Sequence, residues 1–141
     1  MLGEKYNYLR CHIVFHIFNS QEERIKYGGS AFIELQFCKL PCGISLSKII
    51  DVDNIKHWME DSLYIDDENK FYSEYRNIFN CGIYNNGDSG IVDIFGINYY
   101  SKNQIKKLID VIIKEKPVDY ELLVQWLEYA KQYNRFYILG I

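Results

Sequence analysis

The stretch SKNQIKKLIDVIIKEKPVDYELLVQWLEYAKQYNRFYILGI, residues 101–141, decides the class of the fold. It opens with Ser101-x-x-Gln104, the spacing at which a hydroxyl and a carboxamide cap the start of a helix reciprocally. Ile105, Leu108, Ile109, Ile112 and Ile113 follow at intervals of three and four, so one face of that helix is apolar. Pro117 has no amide hydrogen to continue the ladder and ends it. Asp119 is placed to cap a second helix, with Leu122, Leu123, Trp126, Leu127 and Ala130 as its buried stripe. Asn134 can stop that helix. RFYILGI, branched and aromatic, then closes the chain as a strand.

Upstream, GIVDIFGINYY (90–100) reads as another strand, with Gly96 marking a bulge or a close backbone approach. The YNNGDSG stretch before it breaks the chain, and pairing of residues 80–86 across that break stays open. Asp66 or Asp67 can cap a helix carrying Phe71, Tyr75, Ile78 and Phe79. Asp53 can cap an earlier one with the stripe Ile55, Trp58, Met59 and Leu63. Near the start, LRCHIVFHIF (9–18) is apolar on both faces, as a well-covered strand is. SAFIELQFC (30–38) alternates Ala31, Ile33, Leu35 and Phe37 with Glu34 and Gln36, the pattern of a half-buried strand. These two read as an antiparallel hairpin with a long connection. Strands and helices are segregated along the chain, which favours a single α+β domain over residues 1–141, an antiparallel sheet with helices packed on one face.

A chain of 141 residues is long enough to bury a core, roughly two-thirds of its unfolded surface. Charged residues at 25% and apolar ones at 48% argue against disorder. Thirteen tyrosines stand out, and a residue with an apolar body and a polar tip suits interfaces, although codon composition alone also enriches it. The N-terminus lacks a basic region and a cleavage site, and its apolar run 13–18 is too short to cross a bilayer, so the expectation is a cytoplasmic protein with no membrane partner. Cys11, Cys38, Cys42 and Cys81 are then expected to be reduced, and Cys38 and Cys42 lack the spacing of a zinc knuckle.

Residues 51–70, DVDNIKHWMEDSLYIDDENK, crowd seven carboxylates around a Trp and a His. They are not a calcium loop. Asp51-x-Asp53 begins like one, but Ile55 stands at the third ligand position, Lys56 where glycine must turn the chain, and Ser62 where a glutamate closes the site. No nucleophile elbow or phosphate-binding loop occurs elsewhere, and His12 and His16, four apart on a strand, read as sheet-face residues. The expectation is therefore no metal, no cofactor and no catalytic residue.

Charge placement is more informative. Residues 51–93 hold ten acidic and three basic side chains, a net of −7, while 1–50 and 94–141 each carry +2. Such a segment repels nucleic acid and steers a basic protein partner toward itself. Among its aromatics, Trp58, Phe71 and Tyr75 read as core, whereas Tyr64 and Tyr72 read as anchors. The candidate partner-binding residues are Asp61, Tyr64, Asp66, Asp67, Glu68, Tyr72 and Asp88.

The texture GINYYS, EKPxDYELLxxWLE and NxFYILGI across residues 78–141 resembles the C-terminal half of small bacterial immunity proteins of polymorphic-toxin and contact-dependent growth inhibition systems. The resemblance implies a cytosolic protein that binds and neutralises a cognate toxin domain, often a nuclease, and the expectation is that it has no enzymatic activity of its own. It carries over no binding residue position by position. The alternatives are a small enzyme using scattered histidines and carboxylates, or an adaptor for another protein partner.

Overall fold

The computed structural model describes residues 14–28, 33–41, 43–56, 58–133 and 135–140. The strands among them are β1 (Phe15–His16), β2 (Ile33–Phe37), β3 (Leu63–Ile65), β4 (Gly82–Ile83), β5 (Ser89–Gly90), β6 (Ile97–Tyr100) and β7 (Phe136–Gly140). The helices are α1 (Gln21–Gly28), α2 (Leu46–Ile49), α3 (Glu68–Tyr75), α4 (Lys102–Glu115) and α5 (Tyr120–Tyr133). The strands form one antiparallel sheet in the order β1-β3-β2-β7-β6-β4-β5. The α+β class with an antiparallel sheet is therefore present. Strands and helices interleave along the chain, however; the class follows from the antiparallel pairing and not from segregation.

The C-terminal strand lies at the centre of the sheet. β7 pairs with β2 from Ile33↔Gly140 to Phe37↔Phe136, and with β6 from Ile97↔Leu139 to Tyr100↔Phe136. Because side chains alternate across a strand, Leu35, Phe37, Leu63, Ile65, Phe136 and Ile138 share the face that α3, α4 and α5 cover. The α4 stripe is Ile105, Leu108, Ile109 and Ile112, while Ile113 is 47% exposed; α5 buries all five residues of its expected stripe. The Trp126 ring lies flat on Phe37, centroids 4.1 Å apart at 4°, and meets Phe136 edge-on at 5.7 Å. The Gln104 Oε1 accepts from the Ser101 amide at 2.8 Å, so the capping box forms. Lys116 at φ 50 ends α4 just before Pro117. Asp119 is buried, and its Oδ2 accepts from the Phe15 amide at 3.2 Å, tying the turn between α4 and α5 to β1. Asn134 and Ile141 lie outside the described residues.

The opposite face is covered too. Tyr99, Tyr137 and Leu139 pack with Cys38, Ile49 and Ile50, and the Tyr137 hydroxyl donates to the Ile49 carbonyl at 2.6 Å. Helices thus sit on one face for α3, α4 and α5, whereas α2 and α1 sit on the other. α1 carries Arg24, whose guanidinium lies 5.0 Å from the Tyr64 ring centroid. On the same face Glu34 and Gln36 are 0% and 2% exposed, so β2 is buried on both faces and not on one. The Gln36 Nε2 donates to Glu34 Oε2 at 3.3 Å and to the Lys56 carbonyl at 3.1 Å, which satisfies an amide that burial would otherwise penalise.

Two expected elements are absent. β1 and β2 do not form a hairpin, because β3 lies between them and pairs with both; residues 9–13 fall outside the described residues. The helix expected from Asp53 does not form either. Asp51 accepts from the Asp53 amide at 3.0 Å and caps a single 3-10 turn, Val52–Asn54, and Leu63, expected on a helical stripe, is the first residue of β3. The YNNGDSG break, by contrast, is a hairpin loop, with β4 and β5 paired on either side of it. None of the described helices is long and apolar enough to cross a membrane.

Candidate partner-binding surface

The seven residues expected to bind a partner do not meet. Asp66, Asp67 and Glu68 follow β3, the second strand across the sheet, whereas Asp88 is in the loop between β4 and β5. Four inter-strand steps from β3 to β4 place them roughly 19 Å apart across the sheet. Two of the three acids after β3 also have local work. Asp66 accepts from the Tyr27 hydroxyl at 2.6 Å, a bond that, with burial, pushes the Tyr27 pKa up to about 12. Asp67 caps α3 by accepting from the Lys70 amide at 2.9 Å. Glu68 is exposed in the first turn of α3, where its charge complements the helix dipole.

Tyr64 cannot be an anchor: it is 1% exposed, since β3 lies inside the sheet and α1 covers its outer face. Its hydroxyl donates to the Met59 carbonyl at 3.3 Å, and burial raises its pKa. Tyr72 is half-buried against the core, with the Arg76 guanidinium 5.6 Å from its ring centroid. Phe71 and Tyr75 are core, as expected, and Trp58 is half-buried. Asp61 is paired with Lys39 at 2.6 Å and lines an aromatic cleft of about 270 Å³ with Trp126, Tyr129 and Tyr133. His16 is half-buried between Phe18 and Tyr27, and burial lowers its pKa; His12 and Cys42 fall outside the described residues. Among the described residues no three His, Cys, Asp or Glu side chains gather as metal ligands would.

What the fold does bring together is a different part of the acidic segment. On the sheet face opposite α4 and α5, a groove of about 310 Å³ runs between the 3-10 turn and the turn before β6. Val52, Ile55, Asn85, Phe95, Ile97 and Leu139 line it. Phe95 stands at its rim 82% exposed, and Val52 faces it 59% exposed. Exposed acids flank these positions in sequence: Asp51 and Asp53 on either side of Val52, Asp88 in the loop that carries Asn85, and Asp93 in the turn that carries Phe95. None of the four is ion-paired among the described residues.

The Phe95 turn is rigidly held. The Phe95 amide donates to Asp93 Oδ1 at 2.9 Å, and the Asp93 amide to Asn98 Oδ1 at 2.7 Å. Asn98 is fully buried, and its Nδ2 donates to the carbonyls of Asp93 and Ile138 at 2.8 and 3.0 Å. From the other side the Gly140 amide donates to the Gly96 carbonyl at 2.8 Å. A Cβ on Gly140 would sit 1.9 Å from the Ile94 carbonyl oxygen, so only glycine lets the turn lie on the end of β7. A large aromatic presented on a fixed backbone loses little entropy when a partner covers it. Sequence reasoning missed Phe95 by reading 90–100 as one strand, although Gly96 already signalled a bulge or close backbone approach there. The chain matches no family model, no curated protein and no solved structure.

Proposed function

We propose that this chain is a cytoplasmic binding protein without catalytic activity that neutralises a basic partner domain by covering it, as the immunity proteins it resembles cover a toxin. The observation that carries the reading is Phe95, 82% exposed beside an apolar groove whose lining residues have the exposed acids Asp51, Asp53, Asp88 and Asp93 as near neighbours in sequence. An exposed aromatic anchor, an adjoining apolar floor and a charged rim are the parts of an interface hot spot. The rim is acidic, so the partner surface that fits it is basic, as the substrate cleft of a nuclease is. Asp66, Asp67 and Glu68 lie outside the groove and add negative charge that steers a basic partner from a distance.

Co-expression tests the reading. Cells producing a cognate toxin domain should survive when the chain is present, and the two proteins should co-purify. Association should slow as salt rises, because steering between opposite charges is screened over about 8 Å at physiological ionic strength. Survival without complex formation would remove the binding role, and a salt-insensitive on-rate would remove the acidic rim from it.

A further inference from the structure

A second concave site lies at the other end of the molecule's charge distribution. The first turn of α4 contains no acid, and α4 carries Lys102, Lys106 and Lys107 in its N-terminal half. Cations there oppose the helix dipole. The capping box occupies the Gln104 amide and leaves those of Lys102 and Asn103, which have no intrahelical acceptor, at the open end. A pocket of about 350 Å³ opens at this end, with Ser101, Lys102, Asn103 and Arg135 on its wall.

Arg135 is the decisive residue. It is 8% exposed, at the entry to β7, and its Nη2 donates to the Pro41 carbonyl at 3.3 Å. Its Nη1 is buried and finds no acceptor among the described residues. No carboxylate is paired with it among the described residues. A buried guanidinium nitrogen left unpaired is costly, and an anion is what satisfies it. Two independent features, the Lys102 and Asn103 amides that the capping box leaves over and an arginine with one buried nitrogen lacking an acceptor, thus line one pocket. The rest of the wall is apolar, including Tyr99 and Leu46, the latter 42% exposed.

We propose that this pocket binds a phosphate-type anion carried on a small molecule. The amides of Lys102 and Asn103, the Lys102 ammonium and Arg135 hold the anion, and Leu46 and Tyr99 take the apolar body attached to it. The lysine groove beside the pocket, which includes Lys106, Lys107 and Lys131, raises the local anion concentration without forming the site. This site is separate from the Phe95 groove and does not depend on it.

Titration calorimetry with inorganic phosphate and with pyrophosphate, against chloride at matched ionic strength, tests the proposal on the full chain. Saturable binding is expected, weakened at least about tenfold in Arg135→Gln and in Lys102→Ala. Lys102 is exposed, so its variant reports on the site even where loss of Arg135 impairs folding. Lys106→Ala combined with Lys107→Ala should leave the affinity within about twofold, since those side chains only steer. Phosphate no better than chloride would overturn the proposal. So would loss of binding in the Lys106/Lys107 variant with full binding in Arg135→Gln. A single-stranded oligonucleotide binding far more tightly than pyrophosphate would replace the small ligand with a nucleic acid, and would equally overturn it.

Discussion

Glu34→Gln should make this protein more stable at alkaline pH and flatten its pH dependence. Glu34 sits mid-strand in β2, opposite Tyr64 on one side and Leu139 on the other, and is 0% exposed. Burial pushes its pKa from 4.5 up to about 7, against the opposing pull of Ser62, Arg24 and Gln36, which favour the charged form. The folded protein therefore holds this proton at pH values where the unfolded chain has released it. The stability that the protonated carboxyl supports is complete below about pH 4.5, declines as pH rises, and is gone above about 7. A displacement of that size is worth about 3 kcal/mol. Glutamine keeps the shape and a hydrogen-bonding end without a charge to desolvate. The variant should gain about 2–3 kcal/mol over wild type at pH 8, with no advantage at pH 4.5. Denaturant unfolding followed by tryptophan fluorescence at a series of pH values measures both. His16 titrates in part of the same window with the opposite sign, so the difference between the two proteins, and not the wild-type curve, isolates Glu34. A glutamine variant less stable than wild type at pH 8 would refute the reasoning and show that the attraction of Arg24 outweighs burial.

Gly140→Ala should cost about 1–3 kcal/mol, because a Cβ 1.9 Å from the Ile94 carbonyl must push the Phe95 turn aside; a thermal melt within a degree of wild type would contradict this. Trp126→Ala removes the ring stacked on Phe37 and should cost about 3–5 kcal/mol in denaturant unfolding, a penalty that Tyr129→Ala, at a residue 58% exposed, should not share. Lys39→Ala breaks a pair whose side chains are 39% and 32% exposed, and should change stability by less than about 1 kcal/mol.

The C-terminal third was legible because its signals are local. A capping box, a proline stop and two stripes at helical spacing act within a few residues, and all of them operate in the fold. Ile113 is the exception: a fifth apolar position on α4 falls outside the arc that the sheet can cover. The middle of the chain misled because helical spacing is cheap to find by accident. Ile55, Trp58, Met59 and Leu63 fit a stripe, yet Leu63–Ile65 is a strand, too short to show alternation and specified by the two neighbours it joins. α1 hid for the opposite reason, since QEERIKYG has no apolar stripe and is held through Arg24. Its Arg24 lies over Tyr64 and near Glu34, while the Lys56 carbonyl meets Gln36, so an unseen helix and an irregular segment turned a solvent face into an interior and an expected anchor into core. The acidic excess was readable, but which acids gather in space was not. That depends on a strand order in which β7 docks beside β2, a pairing across about a hundred residues that no local pattern encodes.

The central claim is that the Phe95 groove is where a basic partner docks, and calorimetric titration of Phe95→Ala with the proposed basic partner domain tests it most directly. Burying one phenylalanine side chain is worth about 2 kcal/mol, so the variant should bind roughly thirtyfold more weakly. Phe95 touches solvent and not core, so its unfolding curve should superimpose on that of wild type. Tyr129→Ala, on the opposite side of the sheet, should bind as wild type does. Wild-type affinity in Phe95→Ala, with the loss appearing in Tyr129→Ala or on reversing Asp66, Asp67 and Glu68 to lysine, would contradict the claim and move the interface to the other face or to the end of β3.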